Sequence, residues 1–465
     1  MGQDCQRDAE PVSQPHLMSP RPGPVAAADS IRKRRILFLT PQLPYPPEQG
    51  TAIRNYNLIK EISRRHRVAL LSFMDGGHPR DDGGPLHALC EPLVTVPAPR
   101  RSIGDRLRTL LTTCAPDMAR RLYSPAFAAA LRELVDAEEF DIIQVEGIEL
   151  AAYALMIRRW VDRRGPAKYR GLEGNGKELT KPRSQDRRRH GRPALVFDDH
   201  NAEYLLQRRH FETDRGNPRR WPAALYSLIQ WRRLRRFERQ VCRQADAVLA
   251  VSEADAQALR RLLPGLEPLV IPNGVDLTRH HPDLPDSLPL QHPAVLFTGK
   301  MDYRPNVDAM LWFYESVWPL IRAELPQAHL YVVGKQPHPR LASLGQESGV
   351  TITGYVTDIL PYFGGADVYV VPLRVGGGTR LKVLEAMSAG LPLVATTLGV
   401  EGVGLTPGQH ALLSDTPEGF AHAVVALLRD PERRRALGMA ARRLVVNRYG
   451  WERIVARLEP LYASL

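Results

Sequence analysis

The sequence has few cysteines and no long apolar run. Its four cysteines, Cys5, Cys90, Cys114 and Cys242, are scattered over 465 residues without a CxxC spacing. This pattern argues against a zinc site and a disulfide framework, and it is typical of a reducing compartment. No apolar segment approaches the roughly 18 residues that a membrane span requires, and the N-terminus lacks the apolar core of a signal peptide. We therefore expect a soluble cytoplasmic protein.

Positive charge is in excess, with a formal net charge of +12, and it is concentrated in two segments. Residues 161–193 are basic and almost free of apolar side chains. Residues 219–240 are basic too, but Leu225, Trp231 and Leu234 recur there at helical spacing. This second segment is either a core-facing stripe with a solvated basic face or a basic amphipathic surface that contacts anionic lipid. Neither segment interleaves aromatic and basic residues as single-strand binders do, so we expect no nucleic acid partner.

Strands and helices alternate along two stretches of the chain. We predict a disordered tail at 1–33, a first domain at 34–279 that contains the basic insertion 161–193, and a proline-rich linker at 280–293. A second domain follows at 294–448, and a helix at 449–465, bent at Pro460, is expected to pack back on the first domain.

Alternating strands and helices predict parallel sheets with helices on both faces. The fold class predicted is therefore α/β, with two doubly wound, Rossmann-like domains in tandem. In the second domain the strands are predicted at 295–298, 330–333, 350–353, 368–371 and 393–395, and a long helix is predicted to begin with Asn306 as its N-cap.

A glycine-rich loop follows the predicted strand 368–371 and runs into a helix that begins near Thr379. Ligands of parallel α/β sheets bind beyond the carboxyl ends of the strands, and a helix N-terminus there favours phosphate. Backbone amides and cationic side chains can together neutralise a diphosphate without a metal. The donor-binding residues predicted here are Gly376, Gly377, Gly378, Thr379, Arg380, Leu381, Lys382 and Glu385.

Glu385 stands among apolar helix residues, where an ionised carboxylate without hydrogen bonds is costly. A ribose diol would supply two hydrogen-bond donors to it. The alternative is that Glu385 pairs with Arg380 or Lys382 on the helix surface, and the spacing does not decide between the two.

The stretch GTRLKVLEAMSAGLPLVAT, with Glu385, Gly390 and Pro392, resembles the signature of the retaining glycosyltransferase family 4. The PNGVD segment and a GYV-type loop at Gly354–Val356 agree in order. The resemblance implies a GT-B fold, a central cleft between the domains and a reaction without a metal or other cofactor. FDDHNAEY and FTGKMDYRPNVDAM are most similar to the sugar transferases associated with exopolysaccharide and PEP-CTERM (exosortase) gene clusters.

The resemblance also implies roles for residues outside that stretch. Gly354 and Tyr355 belong to the donor site, Gly50 and Thr51 to an acceptor and phosphate loop, and Lys300 faces the cleft. His200, which the resemblance places against the donor sugar, is expected to be catalytic together with Arg380 and Lys382. The sequence departs from the family at Gly377, where many members have a second glutamate, and in the spacing of Lys300 and Arg304.

We predict a retaining hexosyltransferase that moves a sugar from a UDP- or GDP-sugar to a lipid-linked or saccharide acceptor in exopolysaccharide or cell-surface glycan synthesis. It would be cytoplasmic and peripheral at the inner membrane face, with the basic segments 161–193 and 219–240 against anionic lipid. One alternative is another GT-B enzyme acting on nucleotide-sugars, of the epimerase or phosphorylase type. The other is a basic nucleic-acid-binding protein.

Overall fold

The structure is a computed structural model that describes residues 32–48, 50–74, 83–164, 192–216, 218–284, 287–341, 344, 348–375 and 381–465. The predicted tail 1–33 lies almost wholly outside these ranges, and so does most of the basic insertion 161–193. The loop residues 376–380 lie outside them too. Lys33–Leu465 form one compact unit.

The first half of the chain forms a seven-stranded sheet in which every strand pair is parallel. The strand order is β3-β2-β1-β4-β5-β6-β7. Its strands are β1 (Arg35–Thr40), β2 (Arg67–Met74), β3 (Cys90–Pro97), β4 (Ile142–Glu146), β5 (Ala194–Asp199), β6 (Ala247–Ala250) and β7 (Leu269–Val270).

The second half forms a six-stranded parallel sheet of order β10-β9-β8-β11-β12-β13. Its strands are β8 (Ala294–Thr298), β9 (His329–Val333), β10 (Val350–Ile352), β11 (Val368–Val371), β12 (Leu393–Ala395) and β13 (Leu412–Leu413). The predicted α/β class with two doubly wound sheets is therefore confirmed, and the five predicted strands lie within a residue or so of those observed.

Helices connect the strands and cover the sheets. Those of the first half are Gly50–Ser63, Leu86–Leu89, Ile103–Thr112, Asp117–Arg121, Pro125–Ala137, Ala151–Arg164, Glu203–Asp214, Trp221–Gln244 and Glu253–Leu262. Those of the second half are Arg304–Trp312, Trp318–Glu324, Leu360–Gly365, Leu381–Ser388, Pro417–Arg429 and Pro431–Arg448. Two short helices, Trp451–Val455 and Glu459–Ser464, end the chain.

The central strands are buried on both faces, which is why they appear in the sequence as continuous apolar runs rather than alternating patterns. In β1, Leu37 and Leu39 pack into one apolar cluster, while Ile36 and Phe38 pack into another. The same division of a sheet between two clusters recurs in the second half. No helix of the described residues is both long and apolar enough to cross a bilayer.

The helix predicted to begin at Asn306 in fact begins at Arg304, and the N-cap prediction is wrong. Proline at the second helical position is well tolerated because its missing N–H would have no partner there. The same helix is interrupted by a π-helical turn, Phe313–Val317. Pro319 follows this turn, and because it cannot donate to a preceding carbonyl, the widened turn lets the chain resume as Trp318–Glu324.

The C-terminal segment packs against the first sheet, not the second. Trp451, Ile454, Leu458 and Tyr462 are buried in the cluster that contains Ile36 and other residues of the first half. A helix bent at Pro460 was expected; instead Pro460 lies in the first turn of a separate helix, Glu459–Ser464.

Candidate active site

The carboxyl ends of both sheets border one cleft. Helix Gly50–Ser63 follows the carboxyl end of β1, and helix Leu381–Ser388 follows that of β11. The two helices begin side by side, because a Cβ added at Gly50 would lie 3.5 Å from Cδ1 of Leu381. Nearby, Nζ of Lys335 is 2.9 Å from a carboxylate oxygen of Glu48 across the cleft. Parallel α/β sheets bind their ligands at such carboxyl ends.

Lys382 lies at the carboxyl end of β8. Its Nζ is 2.9 Å from Oδ1 of Asn306 and 4.2 Å from the centre of the Phe297 ring, a cation–π contact. Gly299 makes room for this ammonium group, since an added Cβ there would lie 2.8 Å from Nζ. The side chain is thus fixed beside backbone that carries no Cβ, where the oxygens of a phosphate can approach.

Asn306, on helix Arg304–Trp312, links Lys382 to the backbone that follows β8. Its Nδ2 donates to the carbonyl of Lys300 at 2.8 Å while its Oδ1 accepts from Lys382. The neighbouring strand end is equally tight: a Cβ added at Gly334 would lie 1.7 Å from the carbonyl oxygen of Gly299. The ends of β8 and β9 therefore approach each other so closely that neither Gly299 nor Gly334 leaves room for a Cβ.

Glu385 is half-buried on helix Leu381–Ser388, and its carboxylate makes no hydrogen bond or ion pair to any other described residue. The pairing with Lys382 that the sequence left open does not occur, because Lys382 bonds to Asn306 instead. The charge of Glu385 contributes, after burial, to raising the pKa of Tyr369, whose hydroxyl is 2.6 Å from Oγ1 of Thr298. Glu385 therefore faces the strand ends, where its carboxylate can accept hydrogen bonds from a ligand.

On the other side of the cleft, His200 follows β5 and is held by Glu146 at the end of β4. The His200 Nε2 and a Glu146 carboxylate oxygen are 2.8 Å apart. The other Glu146 oxygen accepts from the Gln144 amide at 2.7 Å, and the Gln144 oxygen accepts from the hydroxyl of Tyr462 at 2.5 Å. A chain of hydrogen bonds from Tyr462 through Gln144 and Glu146 thus fixes the imidazole at Nε2 and leaves Nδ1 beside Gly147.

Asp198 is fully buried next to this pair and is bound by Arg54, from helix Gly50–Ser63. The Arg54 Nε and Nη2 atoms lie 3.1 and 2.7 Å from Oδ2 of Asp198, while Nη1 bonds to the carbonyl of Pro272 and the side chain of Asn273. This guanidinium ties the start of the helix to the end of β5 and to the chain leaving the first domain. Oδ1 of Asp198 has no partner in the described residues.

The cluster has net acidic surroundings, and these change its protonation. Burial lowers the pKa of His200, but the hydrogen bond to Glu146 and the charges of Asp198 and Glu146 outweigh it, so the pKa is raised overall. Burial and the charge of Asp198 raise the pKa of Glu146. The imidazolium form of His200 is therefore favoured, and as imidazolium its Nδ1 is a hydrogen-bond donor toward a ligand.

One ligating atom each of Glu146, Asp198 and His200 lie within 4.8 Å of one another, a geometry that a divalent cation can use. Arg54 already neutralises Asp198, and Nε2 of His200 is engaged with Glu146. These contacts form an ion-pair and hydrogen-bond network in which Oδ1 of Asp198 alone among these carboxylate oxygens has no partner in the described residues.

The remaining predicted residues lie around the same cleft or outside the described ranges. Gly354 follows β10 with a φ of 69° and open space around it, and the Tyr355 ring is largely exposed. Lys300 is exposed at the end of β8, 3.5 Å from Asp302, and Thr51 is half-buried in the first turn of its helix. The predicted Gly376, Gly377, Gly378, Thr379 and Arg380 are outside the described residues.

Sequence analysis did not single out Arg54, Glu146 or Lys335, and it named Asn306 only as a helix N-cap. Arg54 and Asp198 are 144 residues apart in the chain, and His200 and Glu146 are 54 apart. One signal was available: Glu146 and Asp198 each follow a short apolar run of the sequence, where a buried charged residue is unexpected unless it is paired.

Two family models match the chain. Residues 49–274 match the model described as "Glycosyl transferase 4-like domain", and residues 292–430 match the model described as "Glycosyl transferases group 1". The boundary between the two matches falls in the segment that joins the two sheets. The glycine-rich loop and the helix with Lys382 and Glu385 lie in the second match, and His200 lies in the first.

Curated relatives and solved structures agree with these matches. The chain is 30% identical over 210 residues to a GDP-mannose-dependent alpha-(1-6)-phosphatidylinositol monomannoside mannosyltransferase of Mycobacterium tuberculosis, covering 40% of this chain and 54% of that protein. The chain thus spans about half the length of the curated relatives it matches.

Among solved structures, sucrose-phosphate synthase of Thermosynechococcus elongatus superimposes with a TM-score of 0.64 at 19% identity, over 92% of this chain and 98% of the other. Anabaena HepE in complex with UDP and glucose superimposes with a TM-score of 0.59 at 16% identity, over 93% and 100%. At these identities the likeness concerns the fold.

Proposed function

Because the chain is built from two glycosyltransferase domains in the GT-B arrangement, we propose that it transfers a sugar from a UDP- or GDP-sugar to a lipid-linked or saccharide acceptor. The observation that carries the proposal is the meeting of three features in one cleft. These are the start of helix Leu381–Ser388 with Lys382, the unengaged carboxylate of Glu385, and the His200–Glu146 pair opposite.

The diphosphate and the ribose of the donor would be recognised by protein groups of opposite charge. Lys382 and the N-terminal end of helix Leu381–Ser388 supply positive potential for the diphosphate. Glu385 accepts hydrogen bonds from the ribose hydroxyls, which replaces the water it loses when the cleft closes. The exposed Tyr355 ring offers the nucleobase an apolar face at the edge of the sheet.

The chemical step breaks the bond between the anomeric carbon and the β-phosphate oxygen. Negative charge grows on that oxygen, and the fixed Lys382 ammonium lowers its free energy without having to reorganise. The acceptor hydroxyl forms the new bond on the face from which the diphosphate leaves, and its proton passes to a phosphate oxygen. This course retains the anomeric configuration and needs no protein base.

One ring nitrogen of His200, Nε2, is held by Glu146, and the other, Nδ1, faces the cleft. Glu146 fixes the ring and favours the imidazolium form, so Nδ1–H can donate to a hydroxyl of the donor sugar or to phosphate. We assign no role to a metal or an organic cofactor.

The acceptor and the pathway rest on the relatives. The mycobacterial relative is named for an acceptor that is a phosphatidylinositol mannoside, and its donor is GDP-mannose; HepE was solved with UDP and glucose. We therefore keep both UDP and GDP as the nucleotide of the donor. We place the reaction in exopolysaccharide or cell-surface glycan synthesis, at the cytoplasmic membrane face.

Release of nucleotide from a panel of UDP- and GDP-sugars, with extracted lipid-linked glycans or free saccharides as acceptors, tests the proposal. We expect one donor to give nucleotide diphosphate and a glycosylated acceptor. Glu385→Ala should lower kcat/KM by roughly 10–100-fold, the loss expected for hydrogen bonds to a charged group. Glu315→Ala, which removes an exposed acid on another helix of the same domain, should leave it unchanged.

An epimerase would convert the donor without an acceptor, and a phosphorylase would need inorganic phosphate. Conversion of the donor without an acceptor, a reaction that requires inorganic phosphate, or no turnover of any donor in the panel would overturn the proposal.

A further inference from the structure

An exposed surface of the first domain combines large apolar side chains with arginines. It is made of helix Ile103–Thr112, the following segment to Tyr123, and the solvent-facing side of helix Trp221–Gln244, with Trp221 and Leu225 in the first half and exposed arginines from Arg232 onward. We propose that this basic-apolar face docks the protein on an anionic lipid bilayer. The inference deepens the proposed function by naming the surface from which a lipid-linked acceptor would be reached, and its test does not depend on turnover.

The apolar part of the face is unusually open to solvent. Leu111 is 83% exposed, Trp221 62%, Leu225 59% and Tyr226 39%. Single exposed apolar residues are ordinary, but several on neighbouring elements mark an interaction surface. Trp221 and Leu225 are one helical turn apart, so they lie on the same face of their helix.

Contacts hold the two elements together as one surface. The Arg233 guanidinium donates to the carbonyl of Leu110 at 2.7 Å and to that of Ala115 at 3.5 Å. The Gln230 oxygen accepts from the backbone N–H of Asp117 at 2.8 Å. Helix Ile103–Thr112 and the segment after it are therefore fixed on helix Trp221–Gln244, and Leu111, Trp221 and Leu225 are all exposed on these two joined elements.

The charge of the face is almost entirely positive. Helix Trp221–Gln244 has six arginines and one acid, Glu238, which is fully buried. In the adjoining segment, Asp105 forms the capping box with Ser102, and Asp117 pairs with Arg101 at 2.9 Å. Burial and the charge of Asp117 raise the pKa of the Tyr226 phenol, and the charges of Arg106 and Arg121 oppose this rise. An anionic surface is the electrostatic complement of such a face.

Helix Trp221–Gln244 also explains why the apolar residues of segment 219–240 could be read either as a core-facing stripe or as a lipid-binding surface. In its second half Leu234 and Val241 are buried in the core of the first domain, as a core-facing stripe should be. In its first half Trp221 and Leu225 face solvent. The apolar stripe therefore serves the core at one end and the surface at the other.

A lipid surface fits this face better than a nucleic acid does. Exposed leucines such as Leu111 and Leu225 gain by entering the acyl boundary of a bilayer while neighbouring arginines reach the head groups. A phosphodiester backbone offers arginines a partner but offers these leucines none. The combination of exposed aliphatic and cationic side chains thus favours anionic lipid.

Co-sedimentation with vesicles tests the proposal, using phosphatidylcholine alone and phosphatidylcholine mixed with phosphatidylglycerol. The full chain should bind the mixed vesicles and bind phosphatidylcholine alone weakly. The triple variant Leu111→Ser, Trp221→Ser, Leu225→Ser should lose about tenfold or more in partitioning, because the apolar contribution to binding scales with buried area. The triple variant Arg232→Gln, Arg236→Gln, Arg239→Gln should lose binding too, and salt should weaken the parent.

Matched controls lie on the second domain. Leu320→Ser with Met439→Ser removes apolar residues of 39% and 41% exposure, and Arg433→Gln with Arg435→Gln removes exposed arginines. Both controls should bind like the parent. Equal binding to both vesicle types, equal losses in the controls, or binding to a DNA duplex but not to lipid would overturn the proposal. Turnover of a water-soluble acceptor should be unchanged in every variant, which separates this result from a failure of the proposed function.

Discussion

At the scale of single residues, the first domain contains buried acids that keep their protons. Asp199 and Glu238 are fully buried side by side, and both Glu238 oxygens accept backbone N–H groups at the start of helix Glu203–Asp214. Burial, followed by the charge of Glu238, raises the pKa of Asp199 well above its usual value, and burial raises that of Glu238 to about 7. Burial and the neighbouring charge therefore favour the protonated form of Asp199.

These shifts predict how stability depends on pH. The folded-state pKa values are raised, so above the unfolded values of about 4 the folded protein binds more protons than the unfolded chain. The free energy of unfolding should consequently fall as pH rises from about 4 through about 7 and higher. Asp199→Asn keeps a neutral side chain of nearly the same shape and removes one titrating proton, so its slope should be shallower by up to about 1.4 kcal/mol per pH unit.

Denaturant unfolding at a series of pH values measures this slope. The exposed Asp136→Asn provides the control and should keep the slope of the parent protein. A parent protein whose stability rises with pH across this window would contradict the assignment of protonated acids.

The sequence predicts site residues where one short stretch contains the chemistry. Lys382 and Glu385 share a motif with the glycine-rich loop, and His200 directly follows a strand. These three residues could therefore be predicted as site residues from the sequence. The Arg54–Asp198 and His200–Glu146 contacts could not, because each joins residues far apart in the chain whose pairing depends on the sheet order.

At the scale of elements, the C-terminal helices belong structurally to the first domain although they follow the second in sequence. Leu458 and Tyr462 are buried against β1 and helix Gly50–Ser63. The Tyr462 hydroxyl also begins the chain of hydrogen bonds through Gln144 and Glu146 to His200. The last helix thus supports the candidate active site from behind.

Two substitutions test this packing. Leu458→Ala should lower the free energy of unfolding by about 3 kcal/mol through the cavity it leaves. Tyr462→Phe should cost about 2 kcal/mol, because the Gln144 oxygen loses its buried donor. Arg457→Ala, on an exposed position between them, should change it by less than about 0.5 kcal/mol.

Hydrogen exchange locates the effect. Faster exchange in β1 and helix Gly50–Ser63 is expected for Leu458→Ala and Tyr462→Phe. Exchange that quickens only in the second sheet would contradict the packing described.

Elements with strong apolar patterns were predictable, and weak ones were not. The central strands β1, β2, β8 and β11 are buried runs that the sequence displays directly. Strand β3 was missed because it contains Glu91 and Pro92 and is only half-buried at the sheet edge. Strand β13 was missed because two residues, Leu412–Leu413, carry too little periodicity.

At the scale of the whole molecule, two ion pairs between described residues join the two sides of the cleft. Glu48 and Lys335 pair at 2.9 Å, and Arg209 and Glu401 at 3.6 Å, all with partly exposed side chains. Exposed ion pairs contribute only about 0–1 kcal/mol each. The relative position of the domains can therefore respond to a ligand that contacts both, and such closure would exclude water from a donor that water could hydrolyse.

The central claim is that the cleft binds a nucleoside diphosphate through Lys382 and Glu385. Calorimetric titration of the full chain with UDP and with GDP tests it most directly. We predict heat of binding with at least one of the two, and binding weakened about tenfold or more in Glu385→Ala. Absence of heat with both nucleotides, or a Glu385→Ala variant that binds as tightly as the parent, would contradict the account.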